Sequence, residues 1–311
     1  MQSIVHNPCM IDRRLQVLRM VAACGTVTGA AETLHYSASA VSQQLRTLSR
    51  EMGVELLVQE GRRVRLTPAG RALVSRVDDL VTAWEEIRSD VVAAGDIGPG
   101  ELRLCGFSTA AAALLPTVAA RVTAIRPSCQ VRVIEADPEE CFHLLLADQA
   151  DVAVVVATAE VPSGTDLRFE LRHLLEEPLD LLVPDGHRLA GEESVALSDL
   201  AQERWIMDRP GRPYHQLVLT ACAAAGFSPA VAHQAREWDT GAALVAAGLG
   251  VAVIPRLAHQ PVGYPVVRVP LTGDPRPARH ILTGIRRGSA SHPVVSGALA
   301  VLKELAVEHG R

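Results

Sequence analysis

The chain has 311 residues, a length typical of two or three domains. Apolar residues make up 48% and charged residues 21%, proportions that exclude a disordered or fibrous chain. No apolar run reaches the ~18 to 20 residues of a membrane span, and the N-terminus lacks the order of a signal peptide. We therefore expect a cytoplasmic protein without a membrane partner.

Charge is distributed unevenly along the chain. Residues 1–76 hold ten arginines and five acids, a net charge of +5, whereas the remaining 235 residues hold 20 basic and 30 acidic groups, a net charge of −10. A basic N-terminal segment followed by an acidic remainder indicates that the N-terminal segment binds a polyanion. Nucleic acid is the first candidate.

Residues 10–67 carry the pattern of a winged helix-turn-helix domain. Apolar residues at helical spacing predict a first helix that starts near Met10 and ends at Gly25. Thr26 is a candidate N-cap of a short second helix. A third helix is predicted over 38–52, ending at Gly53.

The third helix is predicted to be amphipathic. An apolar stripe faces the first two helices and consists of Val41, Leu45, Leu48 and Met52. The opposite side carries hydroxyl, amide and guanidinium groups, which read base edges when a recognition helix enters the major groove. The residues expected to face DNA from this helix and the segment before it are Thr28, Ser37, Ala38, Ser39, Ser42, Gln43, Arg46 and Arg50.

Two short extended runs follow, over 55–58 and 64–66, and predict a hairpin that forms the wing. Arg62, Arg63 and Arg65 lie at or beside its tip, where we expect them to contact phosphates. Ordinary surface charge is the alternative interpretation of these three arginines.

A long helix is predicted over 68–94, with Thr67 as N-cap and Pro68 at the first helical position. Its apolar positions are separated by alternating steps of four and three residues, the a/d seam of a helix that pairs with another chain. We expect a homodimer or homotetramer held by the seam residues Leu73, Val77, Leu80, Trp84, Ile87 and Val91. Residues 95–100 are predicted to form a hinge.

Beyond residue 100, predicted strands alternate with predicted helices. Strands are expected near 102–106, 130–134, 151–156, 179–183, 205–207, 231–236, 251–254, 266–269 and 280–285. Helices are expected over 110–125, 139–147, 214–226, 240–247 and 293–308. This alternation predicts parallel βαβ units. We divide them into one lobe of residues 101–166 and 267–311 and another of residues 167–266.

A ligand site is expected between the lobes, because ligands of parallel sheets bind beyond the carboxyl ends of the strands. Ser108 and Thr109 are expected just before a helix, where hydroxyls and free backbone N–H groups accept a carboxylate. The alternative is that these residues and Thr240 only cap helices. The candidate effector-binding residues are Ser108, Thr109, Asp137, Asp208, Arg209, Trp238, Asp239 and Thr240.

Other chemistries have little support in the sequence. The six cysteines form no CxxC pair and no Cys/His spacing that suits zinc, so we expect no metal and no cofactor. The histidines are scattered without a Ser or carboxylate placed for a triad, so we expect no enzyme activity. Cys105, Cys129 and Cys141 are interpreted as buried structural thiols, with a redox switch as the alternative.

Four segments together resemble LysR-type transcriptional regulators: 25–45, 66–70, 100–106 and 246–255. The resemblance implies an α/β protein with a helix-rich winged helix-turn-helix domain, a long linker helix and a two-lobed, Rossmann-like effector domain of the type 2 periplasmic-binding-protein plan. It also implies sequence-specific binding of double-stranded operator DNA, modulated by a small molecule between the lobes, often an acidic one. RNA polymerase is a further candidate partner.

The chain departs from the family pattern near the wing, where Leu57 and Gln59 replace the usual Phe and Arg. The second change removes a basic group close to DNA. Three alternatives to a LysR-type regulator stay open: a cytoplasmic small-molecule-binding or redox-sensing protein, a solute-binding protein with an N-terminal appendage, and an enzyme with a DNA-binding appendage.

Overall fold

The computed structural model describes residues 11–61, 63–95, 100–159, 161–259, 263–273 and 276–309. The N-terminal head contains α1 (Arg13–Cys24), α2 (Val27–Thr33), α3 (Ala38–Met52) and an antiparallel hairpin of β1 (Leu57–Glu60) and β2 (Arg63–Leu66). Met10, where the first helix was expected to start, lies outside the described residues. The predicted winged helix-turn-helix is therefore confirmed in its described part.

Short polar caps delimit the helices of the head. The Thr26 hydroxyl accepts a hydrogen bond from the Gly29 N–H at 3.1 Å, as predicted for the N-cap of α2. Gly25 and Gly53 follow α1 and α3 with φ of 67° and 68°, the left-handed conformation that ends a helix with least strain in glycine.

The head is built around one apolar core. Val17 and Leu18 of α1, Ala30 of α2, and Val41 and Leu45 of α3 are buried together. These small and branched side chains let the three helices cross closely and fix the orientation of α3. The predicted apolar stripe is wrong at its last member, since Met52 is 47% exposed at the C-terminal end of α3.

The linker helix α4 (Pro68–Ala94) has the predicted bounds, and its 27 residues span about 40 Å. The Thr67 hydroxyl caps it by accepting from the Gly70 N–H at 2.9 Å. A Cβ on Gly70 would lie 2.1 Å from the carbonyl oxygen of Leu56, so only glycine lets the helix pass this close to the wing. Residues 96–99 of the predicted hinge lie outside the described residues.

Beyond the linker helix, the described residues form six further α-helices and ten further strands. The helices are α5 (Ser108–Ala113), α6 (Leu115–Ile125), α7 (Pro138–Leu146), α8 (Pro213–Ala224), α9 (Trp238–Ala246) and α10 (Pro293–His309). The strands are β3 (Glu101–Gly106), β4 (Gln130–Glu135), β5 (Val152–Val156), β6 (Phe169–Pro184), β7 (Val195–Ala196), β8 (Arg204–Met207), β9 (Ala230–Gln234), β10 (Ala252–Pro255), β11 (Val266–Thr272) and β12 (Ala278–Arg286).

Two lobes share the long strand β6. In the first lobe, residues 169–178 of β6 pair with β12, and the strand order is β4-β3-β5-β12-β6. In the second lobe, residues 179–184 pair with β10 and β11, beside the parallel pair β8–β9. The predicted division of the lobes stays a prediction, and its boundary at residue 267 falls within β11.

The sheets are mixed, whereas the alternation of elements predicted parallel βαβ units. β3 runs parallel to β4 and β5, but β12 is antiparallel to β5 and β6, and β10 and β11 are antiparallel to β6. The connections around β6 and β12 carry the chain between lobes, so they are not simple crossovers. Periodicity detects a strand but not its direction.

Two other predicted elements differ from the structure. The single helix expected over 110–125 is broken at Leu114, because Pro116 lacks the N–H that a continuous helix would need. The strand expected over 179–183 is the second part of a strand of 16 residues. Its first part was missed because Glu170, Arg172 and Glu176 interrupt the apolar pattern.

A buried arginine ties the linker helix to the first lobe. Arg286 donates from Nε to Glu85 Oε1 of α4 at 2.9 Å and from Nη2 to Asp151 Oδ1 at 3.0 Å, and its Nη1 donates to the Ala150 carbonyl. Burial would raise the pKa of Asp151, but hydrogen bonds from Arg103 and the charge of Arg286 outweigh it and hold that pKa well below its usual range.

We expect Arg286→Met to lower the free energy of unfolding by up to about 3 to 5 kcal/mol, because the buried carboxylates of Glu85 and Asp151 lose one cation and keep only Arg88 and Arg103. Urea unfolding measures the loss. The matched control is Arg172→Met, which removes an exposed pair with Glu170 and should cost about 1 kcal/mol or less. Equal losses in the two variants would contradict a structural role for the buried cluster.

Candidate nucleic-acid interface and interlobe cavity

The outward face of α3 is polar and exposed. Ser39, Gln43, Arg46 and Arg50 point away from the buried stripe of the helix, and Ser42 beside them is half-buried. Steps of four, three and four residues keep the four exposed side chains on one face. Among the described residues, neither Arg46 nor Arg50 has a carboxylate partner in an ion pair, so both guanidinium groups are available to a ligand.

The segment that leads into α3 adds further polar groups beside this face. The Ser37 hydroxyl accepts a hydrogen bond from the Ala40 N–H at 3.1 Å and lies 2.9 Å from the Ser39 hydroxyl. Ser37 therefore caps the helix and remains exposed. Ala38 is the first residue of α3, and Thr28 is exposed on α2.

The wing carries exposed arginines in unequal environments. Arg63 and Arg65 are exposed on β2, and Arg65 Nε donates to Glu60 Oε1 at 2.7 Å across the hairpin. This pair partly neutralises Arg65, while no ion pair of Arg63 occurs among the described residues. Arg62 lies outside the described residues.

The predicted seam of α4 divides into two parts. Val77 is buried and Leu73 is half-buried against the core of the head. Farther along, Leu80 is 52%, Ile87 53% and Val91 65% exposed. Trp84 is half-buried between them. In the described part of the chain, the stripe beyond the head therefore leaves Leu80, Ile87 and Val91 exposed.

A cavity of about 1440 Å³ lies between the two lobes. Five of the eight predicted effector residues line it: Ser108, Thr109, Asp137, Asp208 and Trp238. The other three are exposed outside the lining: Arg209, Asp239 and Thr240. The structure thus brings together residues from the ends of strands of both lobes, which are distant in sequence.

The predicted positions of the capping hydroxyls are wrong. Ser108 and Thr109 form the first turn of α5 rather than preceding it, and Thr109 is buried. Thr240 is the third residue of α9, and the residue before that helix is Glu237. Neither helix has a side-chain cap, so these hydroxyls are not occupied as N-caps.

Charged groups of both signs face the cavity. The acids are Glu135, Asp137, Glu139, Glu176, Asp208 and Glu237. The arginines are Arg212, Arg236, Arg276 and Arg279. Among these, Arg212 bridges the lobes: its Nε is 3.1 Å from Asp208 Oδ2 and its Nη2 is 3.8 Å from Asp137 Oδ1.

Sequence reasoning missed several lining residues. Arg279 is buried, pairs with Glu177 and places its guanidinium carbon 4.8 Å from the centre of the Phe107 ring. Tyr214 stacks edge-on against Trp238 at 5.0 Å and donates to the Val253 carbonyl at 2.8 Å. Burial raises the pKa of Tyr214, so its hydroxyl stays protonated. No sequence motif marks these residues, because only the packing of β12 and α8 brings them to the cavity.

The described cysteines are free and poorly suited to thiolate chemistry. Cys105, Cys129, Cys141 and Cys222 are buried, and Cys24 is half-buried. A hydrogen bond with Cys141, together with burial, raises the pKa of Cys105 well above its usual range, and burial raises that of Cys222 to about 11. A thiol must ionise to act as a nucleophile, so the raised pKa values disfavour that chemistry at Cys105 and Cys222.

The described residues contain no cluster of three or more His, Cys, Asp or Glu side chains that could hold a metal ion. Among the same residues, no helix combines the length and the apolar character needed to cross a bilayer.

The geometry is that of a helix-turn-helix transcriptional regulator with a ligand-binding body. Residues 13–71 match the family "Bacterial regulatory helix-turn-helix protein, lysR family", and residues 98–307 match the "LysR substrate binding domain". The second match covers more than half of the chain. The protein therefore belongs to the LysR family of transcriptional regulators, with a DNA-binding head and an effector-binding domain, and the resemblance found in the sequence is confirmed.

Individual relatives agree with this assignment. The probable hydrogen peroxide-inducible genes activator of Mycobacterium avium is 31% identical over 257 residues, which cover 82% of this chain and 81% of that protein. The transcriptional dual regulator GltC of Bacillus subtilis is 29% identical over 219 residues, 70% of this chain and 71% of that one. These relatives are regulators rather than enzymes.

Solved structures show the same fold. A full-length OxyR variant from Pseudomonas aeruginosa has a TM-score of 0.65 at 20% identity and covers 93% of each chain. Full-length BenM has a TM-score of 0.59 at 21% identity, covering 96% of this chain and 97% of that one. The expected fold class is thereby confirmed: a winged helix-turn-helix head, a linker helix and a two-lobed α/β effector domain.

Proposed function

We propose that two or four copies of this chain bind operator DNA through paired heads, and that a small polar effector in the interlobe cavity changes how they bind it. The observation that carries this proposal is the outward face of α3, where Ser39, Gln43, Arg46 and Arg50 are exposed together on a helix held rigidly by a buried core. An arginine can grip a guanine edge in a bidentate fork, and a glutamine an adenine edge.

The two groups of basic residues have different roles in this proposal. Arg46 and Gln43 enter the major groove and read bases. The groups expected to contact sugar or phosphate are Ser39, Ser42 and Arg50 of α3, Ser37 just before it, and Thr28 of α2. Arg63 of the wing, with Arg62 and Arg65, neutralises phosphates. Because Arg65 is paired with Glu60, Arg63 contributes more of this attraction.

Arg46→Ala should relax base preference at one position of the operator, with a loss of discrimination of about 1 to 3 kcal/mol. Arg63→Ala should instead weaken binding to all sequences and reduce the slope of log K against log salt by about 0.9. Both effects are measured by titrating duplexes that the protein selects from a randomised library, at several salt concentrations.

The matched control is Arg76→Ala, which removes an exposed arginine from α4, paired only with Asp79 at 3.5 Å among the described residues. It should leave base preference unchanged. If Arg46→Ala also left the selected sequences unchanged, the assignment of α3 as the reading helix would be wrong.

The exposed stripe of α4 supports pairing with a second chain. Leu80, Ile87 and Val91, with Trp84 beside them, recur at the a/d spacing of a two-helix seam, and Leu73 and Val77 continue the seam into the head. A helix of about 40 Å can hold two heads one helical turn of DNA apart. We propose a dimer through this seam, or a tetramer built from two such dimers.

Leu80→Glu combined with Ile87→Glu should dissociate the seam, since burying two opposed rows of carboxylates in an apolar interface is strongly unfavourable. Analytical ultracentrifugation should show a smaller species, and the DNA footprint should shrink to one half-site. Val307→Glu, at a similarly exposed apolar position on α10, is the control and should change neither. An unchanged sedimentation coefficient for the double variant would exclude the seam.

The effector is proposed to bind between Ser108 and Asp137 of the first lobe and Asp208 and Trp238 of the second. A carboxylate, the class expected from the sequence, would find cations at Arg236 and Arg276, and the acids on the same wall would accept an amine or hydroxyl. The aromatic pair of Tyr214 and Trp238 offers an apolar surface beside them. Polar metabolites with a carboxylate are therefore the first class to test.

Small carboxylates, amino acids and amines are screened for compounds that raise the melting temperature of the wild-type protein. For such a compound, most of the rise should be lost in Ser108→Ala and in Trp238→Ala. Thr240→Ala is the control, because Thr240 is exposed outside the cavity lining, and its shift should equal that of the wild type. A hit whose shift persists in both cavity variants would place the effector elsewhere.

The rival functions have less support. The Mycobacterium avium relative is named a probable hydrogen peroxide-inducible genes activator. A thiol-based response to peroxide needs a reactive thiolate, whereas a hydrogen bond with Cys141 and burial raise the pKa of Cys105, and burial raises that of Cys222. A solute-binding protein does not account for the polar face of α3, and an enzyme with a DNA-binding appendage is disfavoured because the relatives are transcriptional regulators. A regulator that acts on operator DNA works in the cytoplasm, with RNA polymerase as a candidate partner.

A further inference from the structure

The helix α7 and the loop that follows it, residues 147–151, touch three parts of the molecule. We call this loop the α7 loop. At the N-terminal end of α7, Asp137, Pro138 and Glu139 line the interlobe cavity. At the opposite end, the helix and the α7 loop contact the DNA-binding head. The nine residues of α7 separate these two ends by about 13 Å.

The contacts with the head are specific hydrogen bonds. Gln16 of α1 donates from Nε2 to the Ala147 carbonyl at 3.2 Å, and Gln149 donates from Nε2 to the carbonyl of Thr33, at the end of α2, at 2.9 Å. Between them, Cys24 Sγ lies 3.9 Å from His143 Nε2. The apolar core of the head is also continuous with the core beneath α7. The head is therefore seated on the first lobe by α1 and α2, while the polar face of α3 remains exposed.

The helix α7 is held firmly in the first lobe. Cys141, Phe142 and Leu145 are buried, and the Phe142 ring packs edge-on against Phe169 at 4.9 Å. A Cβ on Gly284 of β12 would lie 3.2 Å from this ring, which leaves little room for sliding. Because the packing is close, a displacement at one end of α7 is transmitted to its other end.

The α7 loop is also connected to the linker helix. Arg286 joins Asp151 and the Ala150 carbonyl of the loop to Glu85 of α4, and Arg103 holds Asp151 from the other side at 2.8 Å. The loop therefore contacts the head directly and the linker helix through one guanidinium group. A shift of this loop therefore changes the position of the head relative to α4.

The cavity end of α7 is connected to the second lobe. Arg212, at the start of α8, lies 3.8 Å from Asp137 across the cleft. An effector that enters the cavity competes with or strengthens this ion pair, and so changes the position of α7 relative to the second lobe. Because the helix is rigid, the change reaches the α7 loop.

We propose that Gln149 is a positioning residue for DNA binding: its hydrogen bond to the Thr33 carbonyl transmits the state of the interlobe cleft, through α7, to the DNA-reading head. Gln16 supports it through Ala147. This inference rests on the proposed function, since it requires that the head binds DNA and that the cleft regulates it. It adds the residues that carry the signal within one chain.

A double-mutant cycle tests the inference without an identified effector. Arg212→Ala removes the ion pair across the cleft and serves as the perturbation of the cavity. Gln149→Glu keeps the side-chain size but removes the N–H donor to the Thr33 carbonyl. The probe is a duplex selected from a randomised library by the full-length wild-type protein, and the readouts are Kd and the length of the nuclease footprint.

We expect Arg212→Ala alone to change Kd or the footprint, with a change in Kd of at least about threefold. In the Gln149→Glu background, the same substitution should have no effect on either readout. Gln149→Ala should behave like Gln149→Glu, which excludes an effect of the added charge. Gln202→Glu, an exposed glutamine of the second lobe, is the matched control and should leave the Arg212→Ala effect intact.

A merely structural role of Gln149 would lower the melting temperature and leave the effect of Arg212→Ala unchanged, so that the two substitutions would be additive. Additive effects, or an Arg212→Ala variant that binds and footprints like the wild type, would overturn the inference. These failures differ from failure of the proposed function, in which the wild-type protein would select no duplex at all.

Discussion

The buried guanidinium of Arg286 is the interaction on which the arrangement of the chain depends. A cation without solvent is stable only when carboxylates and carbonyls surround it, and here they come from separate elements: Glu85 of the linker helix, and Asp151 and the Ala150 carbonyl of the α7 loop. Separating the linker helix from the first lobe would leave buried charges unpaired, which is unfavourable in free energy, so the helix stays in contact with the lobe. The position of the head relative to the effector domain follows from this contact.

Close backbone contact reinforces the same junction. Ser89 of α4 donates to the Gly288 carbonyl at 3.2 Å, and a Cβ on Gly288 would lie 2.6 Å from the Thr82 carbonyl oxygen. Gly288 also has a φ of 88°, which side chains other than hydrogen rarely allow. The linker helix therefore has one face against its own effector domain and another on which Leu80 and Ile87 are exposed.

This division of surfaces gives a physical reason for regulation. The helices of the head share one buried core, so in the proposed dimer the affinity for DNA depends mainly on where the second head lies and how each is tilted. Both quantities depend on α4 and on the seat of the head on the first lobe. A ligand shifts such an equilibrium only by binding one arrangement better than another, and the cavity, whose walls come from both lobes, is placed to do this.

The sequence by itself determined the elements whose signals are local. The N-caps Thr26 and Thr67, the amphipathic α3 and the bounds of α4 follow from side chains within a few residues of each backbone group that they satisfy. The family followed from motifs in these same segments. The polar face of α3 was predictable because residues at helical spacing share a face wherever the helix lies.

Only the tertiary structure decided the strand directions, the lining of the cavity and the seat of the head. Strand direction depends on pairing between distant segments, so β12 could not be recognised as antiparallel to β6. Arg279 and Tyr214 reach the cavity because β12 and α8 pack there. Arg209 and Thr240 are close in sequence to lining residues but remain outside the cavity. The contacts of Gln149 with Thr33 and of Arg286 with Glu85 join residues more than one hundred positions apart, and such contacts arise from packing rather than from local pattern.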